Sequence, residues 1–590
     1  MAIDPRVPSP RRAWPLIVAC LLASCLIASC DRPAADRTAA HAPSAGATSA
    51  HVASATAAEK PRITGGPQRP GAVGAVAYVA SGTSPLAAGC DGTLGSGVLY
   101  AGAEVEPHLA IHPDNPHILV GAWQQDRWSN GSARALVAAT SLDGGRSWIR
   151  TPLPFSRCGG GNVLNGGDYE RASDPWVSYS PNGVVHAMSL STTGGAYQPG
   201  SANAMLASRS FDHGRTWTAP AILIRDSTAA FNDKNAITAD PFDAAYVYAV
   251  WDRLIAATDR GPTYFARSTN GGASWEPARA IYDPGTRNQT IGNIVAVLPG
   301  GVLVNVFNRI DNPLGGPQRA RVTVIRSTDR GATWSAPIDV AELLAVGTRD
   351  PVSGLAVRDG AIVPTIAAGP GGELYVAWQD ARFSAGVRDG IALSRSNDGG
   401  LSWSAPVRVN GAPGVPAFTP SLHVAADGTV GVSYYDLRSD TATAPLSTDA
   451  WLARSRDGGA TWSDLRIGDT FDMTTAPFAN GLFVGDYTGL ADIDGRFVPF
   501  HARTTAQGED NLTDVVAVSL AKVPAPAAAQ TPAAKRAEIR ARQAKPGFAP
   551  DHRLRMRVDA NLRRRLKSPP APGEPSRWMP HYATLALLQR

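Results

Sequence analysis

Ser141-Leu142-Asp143-Gly144-Gly145-Arg146-Ser147-Trp148 is one of six related octets in this chain. The pattern Ser-x-Asp-x-Gly-x-Ser/Thr-Trp returns at Ser210–Trp217, Ser268–Trp275, Ser327–Trp334, Ser396–Trp403 and Ser455–Trp462. Its third positions are Asp143, Asp212, Asn270, Asp329, Asp398 and Asp457, spaced by 69, 58, 59, 69 and 59 residues. Six copies at a near-constant period mark a repeat architecture. The residue types are those of a turn. Asp or Asn bonds backbone N–H groups inside the loop, and Gly supplies the positive φ. The Trp covers the join between neighbouring sheets. The six acids are therefore read as structural, because catalysis has no use for six identical copies.

Each period holds four short β-rich runs. In the fifth these are Ala361–Ala367, Leu374–Trp378, Gly390–Ser394 and the run after the octet. Four strands per period make the blade of a β-propeller. Six octets give six blades, starting near Glu106. Three further strand-like runs follow, at Asp486–Ile493, Arg496–His501 and Asp514–Leu520. A sheet one strand short leaves an open edge. Gly97–Ala101 is the expected N-terminal strand that fills it and closes the ring. The expected fold is all-β, a propeller of seven blades rather than six, over residues 73–521.

Composition agrees. The 590 residues are 44% hydrophobic and 18% charged, enough apolar material for a core. With 59 Gly and 47 Pro, a helical bundle is excluded. The net charge of +5 is concentrated at the C-terminus: residues 532–590 hold fourteen Lys or Arg against four Asp or Glu. Residues 522–590 are expected to be a basic, disordered tail.

At the other end, Arg6, Arg11 and Arg12 precede the apolar run Leu16–Ser29. This is the layout of an export signal, too short to span a membrane as a helix. The run ends in Ile27-Ala28-Ser29-Cys30, which resembles a bacterial lipobox; Leu22-Ala23-Ser24-Cys25 is a second match. The resemblance implies a signal peptide over 1–30, lipid attachment at Cys30, and a membrane-anchored protein facing periplasm or cell surface. Residues 31–72 read as an Ala/Pro/Ser/Thr-rich tether. Three of the five Cys lie in the signal. Export favours a disulfide between the other two, Cys90 and Cys158, over two buried thiols.

Strand direction alternates within a blade, so the loops from strand two to strand three share a face with the starts of strand one. Polar residues gather there. The strand-two ends carry Asp126, Arg127 and Trp128, then Asp252-Arg253, Asn308-Arg309, Asp380-Ala381-Arg382 and Asp436-Leu437-Arg438. The strand-one starts carry Glu106-Pro107-His108, Asp168 to Asp174 with Arg171, Asn232-Asp233-Lys234, and Asp486-Tyr487. Arg binds planar carboxylates through two hydrogen bonds, and aromatic walls stack on sugar rings. Ion pairing between blades is the structural alternative for the same Arg and Asp residues.

The octets are identified as Asp boxes, and residues 98–521 resemble the sialidase-like (BNR repeat) propellers. That family binds a substrate carboxylate with three Arg, attacks with a Tyr activated by Glu, and uses an Asp acid/base. By resemblance Tyr487, in Val484-Gly485-Asp486-Tyr487-Thr488-Gly489, takes the place of the nucleophile. Arg309 and Arg438 match the second and third arginines, and Arg127 another substrate-binding Arg. Two positions depart from the pattern. Val105-Glu106-Pro107-His108 stands where the first Arg is found, and Gly292-Asn293 replaces the activating Glu. Glu106 is expected to serve Tyr487 instead, with Asp126 or Asp174 protonating the leaving oxygen. Arg127, Arg171, Arg253, Arg309, Arg382, Arg438 and Trp128 are the expected substrate contacts.

Three activities follow. The first is an exo-sialidase-type glycoside hydrolase on a terminal acidic sugar. The second is a non-catalytic glycan- or protein-binding propeller. The third is a lyase or hydrolase on uronate-containing glycans, with His108 or Tyr487 as base. No cofactor and no metal is expected, since His108, His186, His423 and His501 are dispersed and no Cys/His cluster has zinc spacing. The expected partners are a carbohydrate and, through the lipid, a membrane. No nucleic acid is expected, and the oligomeric state stays open.

Overall fold

The structure is a computed structural model. It describes residues 63–64, 69–70, 75–92, 97–351, 353–506 and 511–520, all within the unit Lys60–Arg590. The expected signal peptide with Cys30, most of the tether, and the basic tail lie outside the described residues. Among the described residues the helical content is three 3-10 turns of three residues each, and no helix is long and apolar enough to cross a membrane. The fold is all-β.

Seven antiparallel modules follow one another. In the first, Leu99–Ile111 pairs with Leu119–Trp128, which pairs with Ala133–Ser141, which pairs with Trp148–Pro152. The same order recurs from Arg171–Tyr179, Ala230–Ala239, Gln289–Leu298, Thr365–Ala368 and Ala417–Val424. The seventh module is Gly489–Ile493, Arg496–Thr504 and Thr513–Leu520. Its missing strand comes from the N-terminal side, as expected, but from a different segment. Ala75–Val79 pairs with Thr513–Leu520, Ala75 opposite Leu520 and Val79 opposite Val516. Gly97–Ala101 cannot serve, because Leu99–Ile111 is one 13-residue strand that opens module one. Ordered pairing also reaches into the expected tether: Ile63–Thr64 pairs with Trp148–Pro152, and Arg69–Pro70 with Ala75–Val79.

The middle strands show why the apolar pattern is continuous. All ten residues of Leu119–Trp128 and all nine of Ala133–Ser141 are buried, since a neighbouring module covers each face. Close approach selects glycine at Gly121, where a Cβ would lie 2.4 Å from the Phe500 ring of module seven. Phe500 in turn packs at 5.4 Å on Trp148 of the first octet.

The octets form tight turns. Asp143 accepts from Arg146 N–H (3.0 Å), Ser147 N–H (2.9 Å) and the hydroxyls of Ser141 and Ser147 (2.9 and 2.6 Å), and Gly145 takes φ 87°. Asp212, Asn270, Asp329, Asp398 and Asp457 repeat the scheme. Third-strand arginines bond the next module's octet: Arg209 donates to Gly271 O, Arg267 to Arg330 O and Arg326 to Gly399 O.

The first strands of consecutive modules pack on one another in sequence order, and that of the seventh packs on that of the first. Residues of all seven, from Ala110 to Leu490, line one cavity of about 860 Å³.

Candidate functional site

Five of the seven first strands carry the same irregularity. The pairing register slips after Val105, Ser173, Asp233, Ile291 and Phe418. The next residue has positive φ each time: Glu106 (55°), Asp174 (52°), Lys234 (48°), Gly292 (74°) and Thr419 (52°). A bulge re-aims a side chain and recurs beside functional sites. The left-handed region costs a non-glycine residue about 1–2 kcal/mol, so four such residues at one register represent stored strain.

The bulges bring side chains of three modules to one point, where Asp486 of the segment before module seven joins them. Lys234 Nζ lies 3.2 Å from Glu106 Oε1, 3.2 Å from Asp174 Oδ1 and 2.7 Å from Asp486 Oδ2. Arg358, in the segment before module five, also holds Asp486, at 2.8 Å. Glu106 accepts from the Gln124 amide, and Arg127 donates to Gln124 Oε1 at 2.8 Å. Asp233 and Asp252 face each other across the first two strands of module three. Tyr487 donates to Pro175 O at 3.3 Å, and its ring lies 5.4 Å from Trp176 and 5.8 Å from Lys234 Nζ. Trp176 stacks on His108 at 3.9 Å.

The charged members of this cluster and Tyr487 are buried. Exposure is 1% at Glu106 and Asp174, 5% at Asp486 and 7% at Lys234 and Tyr487. The segment before module seven covers it: Leu482–Phe483 pairs in parallel with Val357–Arg358, and Phe483 sits under Arg358 (4.1 Å) and Arg127 (5.2 Å). Burial separates the acidities. It pushes the Glu106 carboxyl up to about 7, against the pull of Lys234. Asp233 is pushed up to about 7 by the same cause, and Asp252 well above the ordinary carboxylate range. For Asp486 burial is outweighed by Arg358 and Lys234, which hold it far below that range. Burial, then the Glu106, Asp174 and Asp486 carboxylates, push the Tyr487 phenol well up. Carboxyls of unlike acidity side by side are the groundwork of acid–base chemistry. Burial brings His108 down to about 3, so its ring is neutral and accepts from Val177 N–H.

The other expected site residues lie elsewhere. Four of the strand-two arginines make ion pairs: Arg309 with Asp311 and Asp339, Arg382 with Asp380, and Arg438 with Asp436 and Asp464 within their own modules, and Arg253 with Asp226 of the last strand of module two (2.7 Å). Arg171 stacks over Trp128 at 4.5 Å and donates to Asn130 Oδ1 and Gly131 O. The expected single mouth of converging arginines is thus replaced by pairs, because each of these four Arg meets a carboxylate on its own or the preceding module before it reaches the centre. Asp126 accepts from Ser84 Oγ, Gly102 N–H and Arg134, so its carboxylate is tied into module one and the N-terminal segment. The cations that do reach the cluster are Lys234, Arg358 and Arg127. Lys234 was findable in the sequence, since Lys234-Asn235 aligns with Glu106-Pro107 and Asp174-Pro175. Arg358 sits in an irregular connection that carries no such signal. Cys90 and Cys158 form a disulfide. Among the described residues no three His, Cys, Asp or Glu form a metal-holding group.

No family model matches the chain, and no curated protein does. Among solved structures the chain is similar to a protein of unknown function from Dyadobacter fermentans DSM 18053, at 14% identity over 72% of this chain and 98% of that one, with a TM-score of 0.39. It is similar to the Hadza microbial sialidase Hz136 at 19% identity, over 57% of this chain and 64% of that one, with a TM-score of 0.37. The GH93 α-L-arabinofuranosidase of Fusarium graminearum, in complex with arabinobiose, gives 11% identity over 72% and 98%, with a TM-score of 0.38.

Proposed function

We propose that this chain is a seven-bladed β-propeller glycoside hydrolase whose chemistry resides in the cluster around Lys234. The observation that carries this is the convergence of Glu106, Asp174 and Lys234 from three modules through strained bulges onto Asp486-Tyr487 of the segment before module seven, with carboxyl acidities driven apart. In this scheme the Tyr487 oxygen attacks the anomeric carbon and gives its proton to the Glu106 carboxylate. The glycosidic C–O bond breaks, and the leaving oxygen takes a proton from the Asp174 carboxyl. Water then cleaves the tyrosyl glycoside by the reverse route: the Asp174 carboxylate takes a proton from the attacking water, and Glu106 returns a proton to the departing Tyr487 oxygen. Lys234 positions the side chains of Glu106, Asp174 and Asp486, and with Arg358 it keeps Asp486 ionised.

Charge favours a neutral sugar over the acidic one expected from the sequence. Five carboxylates (Glu106, Asp174, Asp233, Asp252, Asp486) share the cluster with three cations, and four of the outer arginines are already paired. Lys234 and Arg358 are engaged with the carboxylates and Arg127 with Gln124, so the cluster offers no open clamp to an anionic substrate. The test is a panel of neutral and acidic aryl glycosides with native protein and Tyr487→Phe. Sugar release from a neutral glycoside that Tyr487→Phe abolishes supports the reading. No release from any member sinks it.

One observation favours a second reading, a binding propeller. No cluster residue is more than 7% exposed, and Phe483 covers the group. Saturable glycan binding with no turnover, unchanged in Tyr487→Phe, would select it.

A further inference from the structure

The first strands enclose a feature that the Lys234 cluster does not use. The axial cavity of about 860 Å³ falls within the size of small-molecule sites, about 300–1,000 Å³. Turns between first and second strands form its mouth, at His112, Pro116, Pro241, Asp427 and Gly495. The mouth lies beside the octets, since His112 packs on His213 of the second octet at 5.1 Å. The inner end is at His108 and Trp176. His108 precedes the turn residue His112 by four residues, roughly 13 Å of extended chain. Small side chains keep the bore open: Ala110, Ala239, Ala296, Ala368 and Ala491, from five modules, line it.

The inner end carries polar groups that the protein leaves unused. His108 and Trp176 are half-buried, and their rings stack with centroids 3.9 Å apart. His108 Nδ1 accepts Val177 N–H at 3.4 Å, so the neutral ring holds its proton on Nε2. Among the described residues no acceptor meets that Nε2–H or the Trp176 indole N–H, and neither nitrogen is sealed from solvent. Two N–H donors on an aromatic surface thus remain available to a ligand. Further out, Asp427, Asp492 and Asp494 line the cavity with His423, which bonds Asp492 at 2.8 Å. No Lys or Arg is among the described lining residues.

This pattern selects the occupant. An anion would meet three carboxylates and no fixed cation. A purely apolar molecule would leave both N–H donors without an acceptor. A neutral polyhydroxylated ring meets both demands. Its C–H face lies on the aromatic surface, its oxygens accept from the two N–H groups, and its hydroxyls donate to the carboxylates.

We propose that the axial cavity is a binding site for a neutral carbohydrate, entered from the octet face, with one sugar residue docked on the His108–Trp176 pair. The site is separate from the Lys234 cluster, and Trp176 is the partition between them, its ring 5.4 Å from that of Tyr487. It stands whether or not that cluster is catalytic.

The experiment uses the full chain and four probes: methyl β-D-glucoside, methyl β-D-galactoside, methyl α-L-arabinoside and the α-methyl glycoside of N-acetylneuraminic acid. Saturation-transfer NMR titrations read binding. Ala368→Trp fills the bore, and Trp176→Phe removes one N–H donor and part of the platform. The expected result is saturable binding of at least one neutral probe and none of the acidic one. The Kd is expected to rise by about tenfold or more in Ala368→Trp and Trp176→Phe. It is expected to stay within about twofold in Asp143→Ala, which weakens an octet without touching the bore. If a bore variant does not fold, a crystal structure of the unmutated chain with the bound probe locates the sugar directly. No saturable binding of any neutral probe would overturn the proposal, as would tighter binding of the acidic one. Binding that survives Ala368→Trp, or a probe seen at Tyr487 instead, would overturn it too while leaving the glycosidase reading intact.

Discussion

Lys234→Met is the sharpest probe of the cluster. The substitution keeps an unbranched stem and removes an ammonium that touches three carboxylates at 3.2, 3.2 and 2.7 Å from a side chain only 6% exposed. Removing one partner of a buried ionic network costs about 3–5 kcal/mol, because the remaining charges stay desolvated. Asp486 retains Arg358, which places the expected loss near 4 kcal/mol rather than higher. The loss depends on pH. Without the ammonium, Glu106, Asp174 and Asp486 repel one another, and protonation relieves that repulsion. The expected destabilisation is therefore about 4 kcal/mol at pH 8 and about half of that at pH 5. Urea unfolding followed by Trp fluorescence measures both. In thermal unfolding, an entropy of about 2.1 cal/mol/K per residue over roughly 450 residues gives about 1 kcal/mol per degree, hence a Tm lower by about 4 °C at pH 8. Arg253→Met is the control. Its ion pair with Asp226 is partly exposed and is worth about 1 kcal/mol or less. A Lys234→Met cost no larger than that of Arg253→Met at pH 8, or one equal at pH 5 and pH 8, would refute the buried network.

Further outcomes follow from the same geometry. Glu106 and Asp233 bind their protons more tightly folded than unfolded, so they contribute stability below the ordinary carboxylate range that is lost as pH rises through about 7. Urea midpoints are expected to fall between pH 5 and pH 7.5, less steeply in Glu106→Gln; an unchanged slope in that variant contradicts the assignment. Reducing Cys90–Cys158, which closes a 68-residue span, is expected to cost about 4 kcal/mol, read by comparing unfolding with and without reductant. Asp143→Ala removes four hydrogen bonds of one turn and is expected to cost about 1–3 kcal/mol in urea unfolding while leaving the pH dependence set by Glu106 and Asp233 unchanged. If Cys30 carries the lipid that the lipobox resemblance implies, Cys30→Ser moves the chain from the membrane fraction to the soluble fraction in cell fractionation, and an unchanged distribution contradicts that expectation.

The sequence made the repeats legible because octet chemistry is local. Asp143 binds residues three and four positions away, and Gly145 needs its positive φ whatever surrounds it. The strand-one starts were legible as a place where polar groups gather, and Glu106, Asp174 and Tyr487 do meet there. The arginines were misjudged for a physical reason. Arg253 and Asp226 are 27 residues apart in sequence and lie in neighbouring modules, and a guanidinium pairs with the first carboxylate within reach. Asp126 was misjudged in the same way, since Ser84 and Arg134 reach it only after the N-terminal segment folds back.

By itself, then, the sequence determined the all-β class, the repeating module, and a polar end shared by the first strands. These rest on short-range turn chemistry and on β-rich runs at fixed period. Only the tertiary structure decided that Ala75–Val79 completes the seventh module, that Lys234 rather than an arginine stands at the centre, and that His108 and Trp176 meet at the inner end of the axial cavity. Each of those outcomes joins residues from different modules, up to about 440 positions apart in the case of Val79 and Val516. Such contacts are set by which edges remain open and which charges remain unpaired once the local modules have formed.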